Sequence, residues 1–311
     1  MENKYLPEGI GMSERSKNKY TNSLSGLEEA MDKGIILEGI ATVCDAHHNL
    51  HVDFGIFKGI IPKEEAVYCP SEEQIKDVAV ITRVGKSVSF VVTDIRTSES
   101  GTEIVLSRKL AQKICCDNYI CTLREGDVID AVVTHIEKFG VFCDIGCGMV
   151  GLLPVDCISV SRISHPKERF RCGETIRCVV KNIDRDICRV TLTHKELLGT
   201  WQENAKMFSA GETVAGIVRS VEPYGIFVEL TPNLAGLAEW CDGVEEGSIA
   251  AVYIKSIIPE KMKIKLVIVG TSSQGRAEST VGEGYFFEGD HMDFWRYSPD
   301  NCVKEIYTLF N

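Results

Sequence analysis

Residues 137–154 read EKFGVFCDIGCGMVGLLP, and residues 222–239 read EPYGIFVELTPNLAGLAE. Both run from an aromatic-Gly-apolar-Phe group through a short apolar stretch to a Gly-Leu pair. The spacing around them repeats too. Gly126 precedes Phe139 by 13 residues and Gly211 precedes Tyr224 by 13, while Gly151 and Gly236 follow those same aromatics by 12. Arg189 follows Gly173 by 16 residues, and Lys263 follows Gly247 by 16. A fixed set of intervals between glycines, aromatics and cations marks copies of one small structural unit. A single interval differs, 22 residues from Gly151 to Gly173 against 11 from Gly236 to Gly247. The later copy has shortened a connection and kept its strands, which is how surface loops vary.

Each copy carries five short strands, in the middle one VIDAVVTHI, GVFCDI, MVGLL, TIRCVVKNI and CRVTLT. Strands this short, punctuated this regularly by Gly, predict a small closed barrel. A five-stranded module of about 70 residues fits the OB-fold, a Greek-key barrel whose face binds oligonucleotides. The fold class is therefore all-β with short linking helices, a row of five-stranded OB-fold barrels. A degenerate copy, GIILEGIATVCDAHHNLHVDFGIFKGIIP then GKSVSFVVTDI then EIVLSRK, fills 27–110. Aligning Asp53 with Asp144 puts His48 and His51 where Phe139 and Phe142 stand. The chain then divides into a flexible tail over 1–26, a divergent first module over 27–110 and a linker over 111–122. A second module over 123–198, a helical linker over 199–210 and a third module over 211–270 follow. The remainder, 271–311, reads as a flexible spacer (TSSQGRAESTVGEG) and an aromatic segment that packs on the third barrel.

Composition narrows the function. The 311 residues are 44% hydrophobic without a long apolar stretch, and the polar start lacks a signal-peptide core. A soluble cytosolic protein with no membrane partner is expected. The 13 Cys are odd in number and irregular in spacing, as suits reduced thiols in a reducing compartment, several of them small core residues. A formal charge of −11 excludes a simple polycation but leaves room for a local basic face. Arg162–His194 supplies such a region: eight basic side chains, among them Arg169, Arg177, Lys181, Arg185 and Arg189, against four acidic ones.

Phe139 and Phe142 would lie on opposite faces of a straight strand, and Gly140 between them allows a bulge or bend that turns both rings to one side. Paired exposed rings form a platform on which unpaired bases stack. A single aromatic on a strand is ordinarily core; the recurrence of the pair as Tyr224 and Phe227, with a hydroxyl suited to a half-wet site, points outward instead. Arg189 and Lys263, each at the start of a last strand, are placed to hold phosphate. Cys44, His47, His48 and His51 lack the paired spacing of a structural zinc site and read as a hairpin with surface His, so no metal or cofactor is expected. No phosphate loop, nucleophile elbow or recognisable carboxylate pair is present, which argues against an enzyme.

GDVIDAVVTHIEKFGVFCDIGCGMVGLLP with GETIRCVVKNIDRDICRVTLTHK is similar to the S-one domain, the RNA-binding OB-fold repeated in bacterial small-subunit ribosomal protein one. GETVAGIVRSVEPYGIFVEL resembles it as closely, and LTHKELLGTWQENAKMF resembles the linkers between its tandem copies. The resemblance implies an RNA face with two aromatics, a His after the Gly-Leu pair, an Asp ahead of the last strand and a basic residue within that strand. The middle module supplies Phe139, Phe142, Asp184 and Arg189, with Pro154 at the His position. The third supplies Tyr224, Phe227 and Lys263, with Glu239 for the His and Ile258 for the Asp. On this resemblance the middle module is the first choice for RNA, and His48 and His51 are the stacking candidates of the first. It implies a non-catalytic protein that binds single-stranded RNA and holds mRNA at the small ribosomal subunit in translation, with no small-molecule substrate. The alternative is a scaffold docking on ribosomal or RNA-decay proteins with vestigial RNA binding, which the negative charge, Glu239 and the imidazoles of the first module favour.

Overall fold

The computed structural model describes residues 5–10, 19–69, 76–98, 101–272 and 284–310. Three closed barrels follow one another. The first is built from β1 (Leu37–Cys44), β2 (Leu50–Phe54), β3 (Phe57–Ile61), β4 (Ser87–Ser98) and β5 (Gly101–Ser107). The second uses β6 (Val128–Glu137), β7 (Gly140–Gly146), β8 (Met149–Pro154), β9 (Thr175–Asp184) and β10 (Arg189–Thr193). The third uses β11 (Thr213–Glu222), β12 (Gly225–Thr231), β13 (Leu234–Ala238), β14 (Ile249–Ile258) and β15 (Lys263–Ser272). In every barrel the first three strands form a meander, and the fifth strand lies between the third and the fourth. The third and fifth strands run parallel, Ile60 opposite Val105 in the first barrel and Leu237 opposite Lys265 in the third.

The repeated Gly of the Gly-Leu pair belongs to this closure. A Cβ on Gly236 would stand 2.5 Å from Leu266 Cδ1 and 3.1 Å from the Ile264 carbonyl, and one on Gly59 would meet Leu106 and Ile104 in the same way. Only a residue without a side chain lets the two parallel strands approach so closely. Inside each barrel, alternate residues turn inward; Leu50, Val52, Phe90 and Leu106 fill the first and Ile226, Val228, Ile254 and Leu266 the third.

The chain divides into two compact units. Unit 1 holds the first barrel, residues up to Leu123, and the segments Asp144–Gly151 and Ile183–Arg189; unit 2 holds the rest. In unit 1, helix α1 (Leu24–Asp32) is capped by Ser23, whose hydroxyl accepts the Gly26 N–H at 3.1 Å. A short helix α2 (Asp77–Ile81) crosses the β3–β4 connection. The linker after β5 is helix α3 (Arg108–Asn118), capped by Ser107. Of the tail expected over 1–26, residues 1–4 and 11–18 lie outside the described residues, and the remainder is not loose. Glu8 pairs with Arg108 at 2.8 Å and accepts the Ser89 N–H at 2.9 Å, while its own N–H donates to Asp144 at 2.8 Å. Burial, then the charge of Glu8, pushes the Asp144 carboxyl up to about 7. The expectation that all thiols are reduced is corrected as well: Cys116 and Cys188 form a disulfide.

In unit 2 the linking helix is a 3-10 turn, Lys195–Leu198, followed by α4 (Trp201–Ala205), whose capping box joins Thr200 and Glu203. Most of the spacer, residues 273–283, lies outside the described residues. The aromatic end forms a small hairpin of β16 (Phe294–Arg296) and β17 (Tyr307–Leu309). It packs on more than the third barrel. Tyr297 donates its hydroxyl to the Asn233 carbonyl at 2.6 Å in the third barrel, while the Val128 N–H donates to the Asp290 carbonyl at 2.9 Å and Arg177 donates to the Phe287 carbonyl at 2.9 Å in the second. Fewer than thirty residues cannot bury a core alone, and two barrels provide it.

His194 is buried in this unit between Phe170 (5.3 Å, edge-on) and Tyr285 (5.6 Å, edge-on), and its Nδ1–H donates to the Ile158 carbonyl at 3.1 Å. Burial pulls its pKa down to about 4. The unfolded chain therefore takes up this proton from about pH 6.5 downward and the folded chain does not until far lower, so unit 2 loses up to about 3 kcal/mol as pH falls across that window. Trp201, Trp240 and Trp295 all lie in unit 2, so urea unfolding followed by Trp fluorescence at pH 7 and pH 4.5 reports it. The loss is expected in the native chain and mostly absent in His194→Leu; equal loss in both would assign it to other groups.

Candidate nucleic-acid interface

Phe139 sits in the turn before β7, and that placement, rather than a bulge at Gly140, brings it to the same side as Phe142. The irregularity lies on the neighbouring strand, between Val218 and Ser220 in the third barrel and between Ala41 and Val43 in the first. Gly140 serves the barrel wall instead, since a Cβ there would stand 2.6 Å from the Leu153 carbonyl, and one on Gly225 2.6 Å from the Ala238 carbonyl. The ring pairs agree closely. Phe139 and Phe142 lie 5.9 Å apart at 87°, and Tyr224 and Phe227 lie 6.2 Å apart at 84°. In each pair the leading ring is open to solvent, Phe139 by 57% and Tyr224 by 69%, and the second is half-buried beneath it. Exposed aromatics of this size on a small barrel are poor candidates for core and good ones for stacking.

The third barrel adds a cation that the interval pattern does not mark. Phe227 is opposite Leu237, and Leu237 is opposite Lys265, so one row crosses three strands from ring to ammonium. Lys263, two residues earlier, points to the same exposed face of β15. It pairs across the turn with Ile258, and Lys255 stands 3.7 Å from Glu239, offsetting that carboxylate. In the middle barrel Asp184 ends β9 and Arg189 begins β10, the ends that Ile258 and Lys263 occupy in the third. Cys188 and Met262, immediately before the two cations, share the left-handed conformation at φ 48°. A further ring joins the middle pair: His135 stacks on Phe142 at 6.2 Å and lies 2.6 Å from Glu137.

Residues 122–195 match the S1 RNA binding domain family, the S-one domain of the sequence resemblance. The chain is 31% identical over 279 residues to small ribosomal subunit protein bS1 of Staphylococcus aureus, covering 85% of this chain and 68% of that one. The chain belongs to the bS1 family. A Bacillus cereus bS1 homologue is 26% identical over 287 residues, covering 88% of this chain and 70% of its own length. Among solved structures, a multidomain protein with nucleic acid binding domains from Streptococcus pneumoniae aligns over 76% of this chain and 73% of its own, at 14% identity and a TM-score of 0.25.

Within this bS1-family chain the first barrel departs from the other two in charge. His51 is opposite Val43 as Phe227 is opposite Ser220, so His51 takes the register of the second ring, while His48 sits in the turn before β2 at φ 63°. His48 Nε2 lies 3.6 Å from Asp77, which pairs more closely with Lys63 at 2.5 Å, and His51 Nε2 lies 3.5 Å from Asp45. The backbone N–H of Asn49, donating to Asp45 at 2.9 Å, and then the Asn49 side chain and the His47 N–H pull the Asp45 carboxyl down to about 2, so it stays charged. The row His51, Ile60, Val105 corresponds to Phe227, Leu237, Lys265, and Arg96 opposite Glu103 corresponds to Ile258 opposite Lys263. The acid and the base of the middle module, Asp184 and Arg189, are thus exchanged here for a base and an acid. Cys44, His47, His48 and His51 are not gathered into one ligand set; among the described residues that grouping occurs at Cys116, Cys121 and Cys188.

Four of the eight basic side chains in the middle module's basic region are engaged by the fold, while Arg162, Lys167 and Arg189 stay exposed. Arg169 is buried against Glu229 at 2.6 Å. Arg177 holds carbonyls of the C-terminal segment, Arg185 donates to the Cys121 and Leu123 carbonyls, and Lys181 lies 3.1 Å from Cys157 Sγ. Arg189 remains exposed at the head of β10.

Proposed function

We propose that this bS1-family chain is a non-catalytic RNA-binding protein that holds single-stranded RNA on its second and third barrels. The observation that carries the reading is the edge-on ring pair, repeated at one position in two barrels with its leading ring bare. Phe139, Phe142, Tyr224 and Phe227 stack bases, and Arg189, Lys263 and Lys265 hold phosphate. Asp184 stands beside the Arg189 strand end, where a carboxylate can accept from a base edge or a 2′-hydroxyl. The two lysines, and the Lys255 that offsets Glu239, move the larger electrostatic share to the third barrel. By analogy with its relatives the RNA is mRNA, the site of action is the small ribosomal subunit, and the compartment is the cytoplasm. Among the described residues no helix is long and apolar enough to cross a membrane.

The exchange of the Asp184–Arg189 positions for Arg96 and Glu103 favours a second role for the first barrel, docking on protein rather than RNA. Comparing the purified chain for binding to a fluorescent unstructured RNA and to small subunits stripped of mRNA tests both roles. Tight binding to subunits with none to RNA would overturn the RNA reading. Salt dependence tests the cations separately. Arg189→Ala should lower the slope of log affinity against log salt by roughly 0.7, and the Lys263→Ala, Lys265→Ala pair by about twice that. An unchanged slope in the double variant would remove β15 from the phosphate path.

A further inference from the structure

Three sulfur atoms converge where the linker after β5 meets the β9–β10 turn, all within unit 1. Cys116 on α3 is buried and disulfide-bonded to Cys188, the last turn residue before Arg189. Cys121, in the 3-10 turn Ile120–Thr122, places its Sγ 3.9 Å from Cys116 Sγ, and all three sulfurs lie within 4.8 Å of one another. Cys121 and Cys188 are half-buried, so solutes reach the two outer sulfurs while the central one is shielded. The same turn is held by Arg185, which donates to the Leu123 carbonyl at 3.0 Å.

We propose that Cys116, Cys121 and Cys188 form a thiol–disulfide exchange site that locks and releases the β9–β10 turn bearing Asp184 and Arg189. The co-reactant is a low-molecular-weight disulfide, RSSR. In the reduced chain the Cys188 thiolate attacks RSSR and expels one RS⁻. The Cys116 thiolate then attacks the Cys188 sulfur and expels the second. Two protein thiols lose two electrons and two protons, and RSSR becomes two RSH. Release needs no outside reagent. The Cys121 thiolate attacks Cys116 Sγ across the 3.9 Å gap, the Cys116–Cys188 bond breaks, and Cys188 leaves as a thiolate that takes the proton Cys121 gave up. The bond has moved into a loop wholly within the linker, and the turn is untethered.

Locking matters because Cys188 precedes Arg189 directly and holds a left-handed backbone that non-glycine residues seldom adopt. A covalent tether on that residue restricts where the guanidinium of Arg189 can point. Its consequence for RNA rests on the function proposed above; the exchange itself does not.

The test uses the full chain equilibrated in glutathione redox buffers, quenched with acid and maleimide, and mapped by peptide mass. The native chain should show the Cys116–Cys188 bond at the oxidising end, Cys188→Ser should show Cys116–Cys121 in its place, and Cys121→Ser should keep Cys116–Cys188. Hydrogen exchange of the amides from 184 to 190 should be at least several-fold slower in oxidised native chain than in reduced chain or in Cys188→Ser. Both readouts are taken without RNA, so failure of RNA binding leaves them standing. Oxidation spread over unrelated cysteines, turn exchange that ignores redox state, or one equivalent of zinc retained by the reduced trio would overturn the proposal.

Discussion

Glu229→Gln is expected to lower the stability of unit 2 by about 3–5 kcal/mol, because it strips the carboxylate that a buried arginine pair shares. Glu229 Oε2 accepts from Arg169 at 2.6 Å and from Arg219 at 2.7 Å, and its Oε1 accepts from Arg219 at 3.0 Å. Arg219 also bonds Glu168, whereas the Nε and Nη1 of Arg169 have no hydrogen-bond partner among the described residues. Burial already pushes the Arg169 guanidinium toward its neutral form. A neutral amide at 229 therefore leaves a charge in a dry site. Urea unfolding followed by Trp fluorescence measures the loss, and Arg169→Met in the same background should restore much of it by removing the orphaned charge. A loss under about 1 kcal/mol for Glu229→Gln would show that water reaches the cluster.

Replacing Phe139 and Phe142 together by Ala should weaken binding of unstructured RNA by about 1–3 kcal/mol per stacked base, hence roughly 30-fold to 10⁴-fold in Kd where both rings carry a base. The Tyr224, Phe227 pair should behave alike, since the two ring pairs share distance and angle. The exposed Phe139 contributes little to stability, so the melting midpoint should move far less than for loss of a core ring, which costs about 3–5 kcal/mol. A collapsed midpoint with unchanged RNA affinity in the surviving folded protein would return both rings to the core.

Much of this protein is legible one residue at a time. Strand alternation, glycines that recur at fixed intervals and a doubled aromatic motif are local signals, and they specify three barrels, their order and the ring pairs, because inward and outward faces of a strand follow from a period of two. Positions are easier to read than their reasons: Gly140 is small because a neighbouring backbone passes 2.6 Å from where its Cβ would be.

The charges behave otherwise. Whether an arginine meets phosphate or a carboxylate depends on partners far away along the chain, such as Glu229, 60 residues from Arg169, or Glu8, 100 residues from Arg108. Lys265 enters the site through the register of two parallel strands, and Glu103 reverses the first module through its register against Arg96. The Cys116–Cys188 contact spans 72 residues. No periodicity encodes such pairings, since they form only when segments remote in sequence close on one another. Desolvation in those closed contacts then decides which charges are spent on folding and which stay at the surface for a ligand.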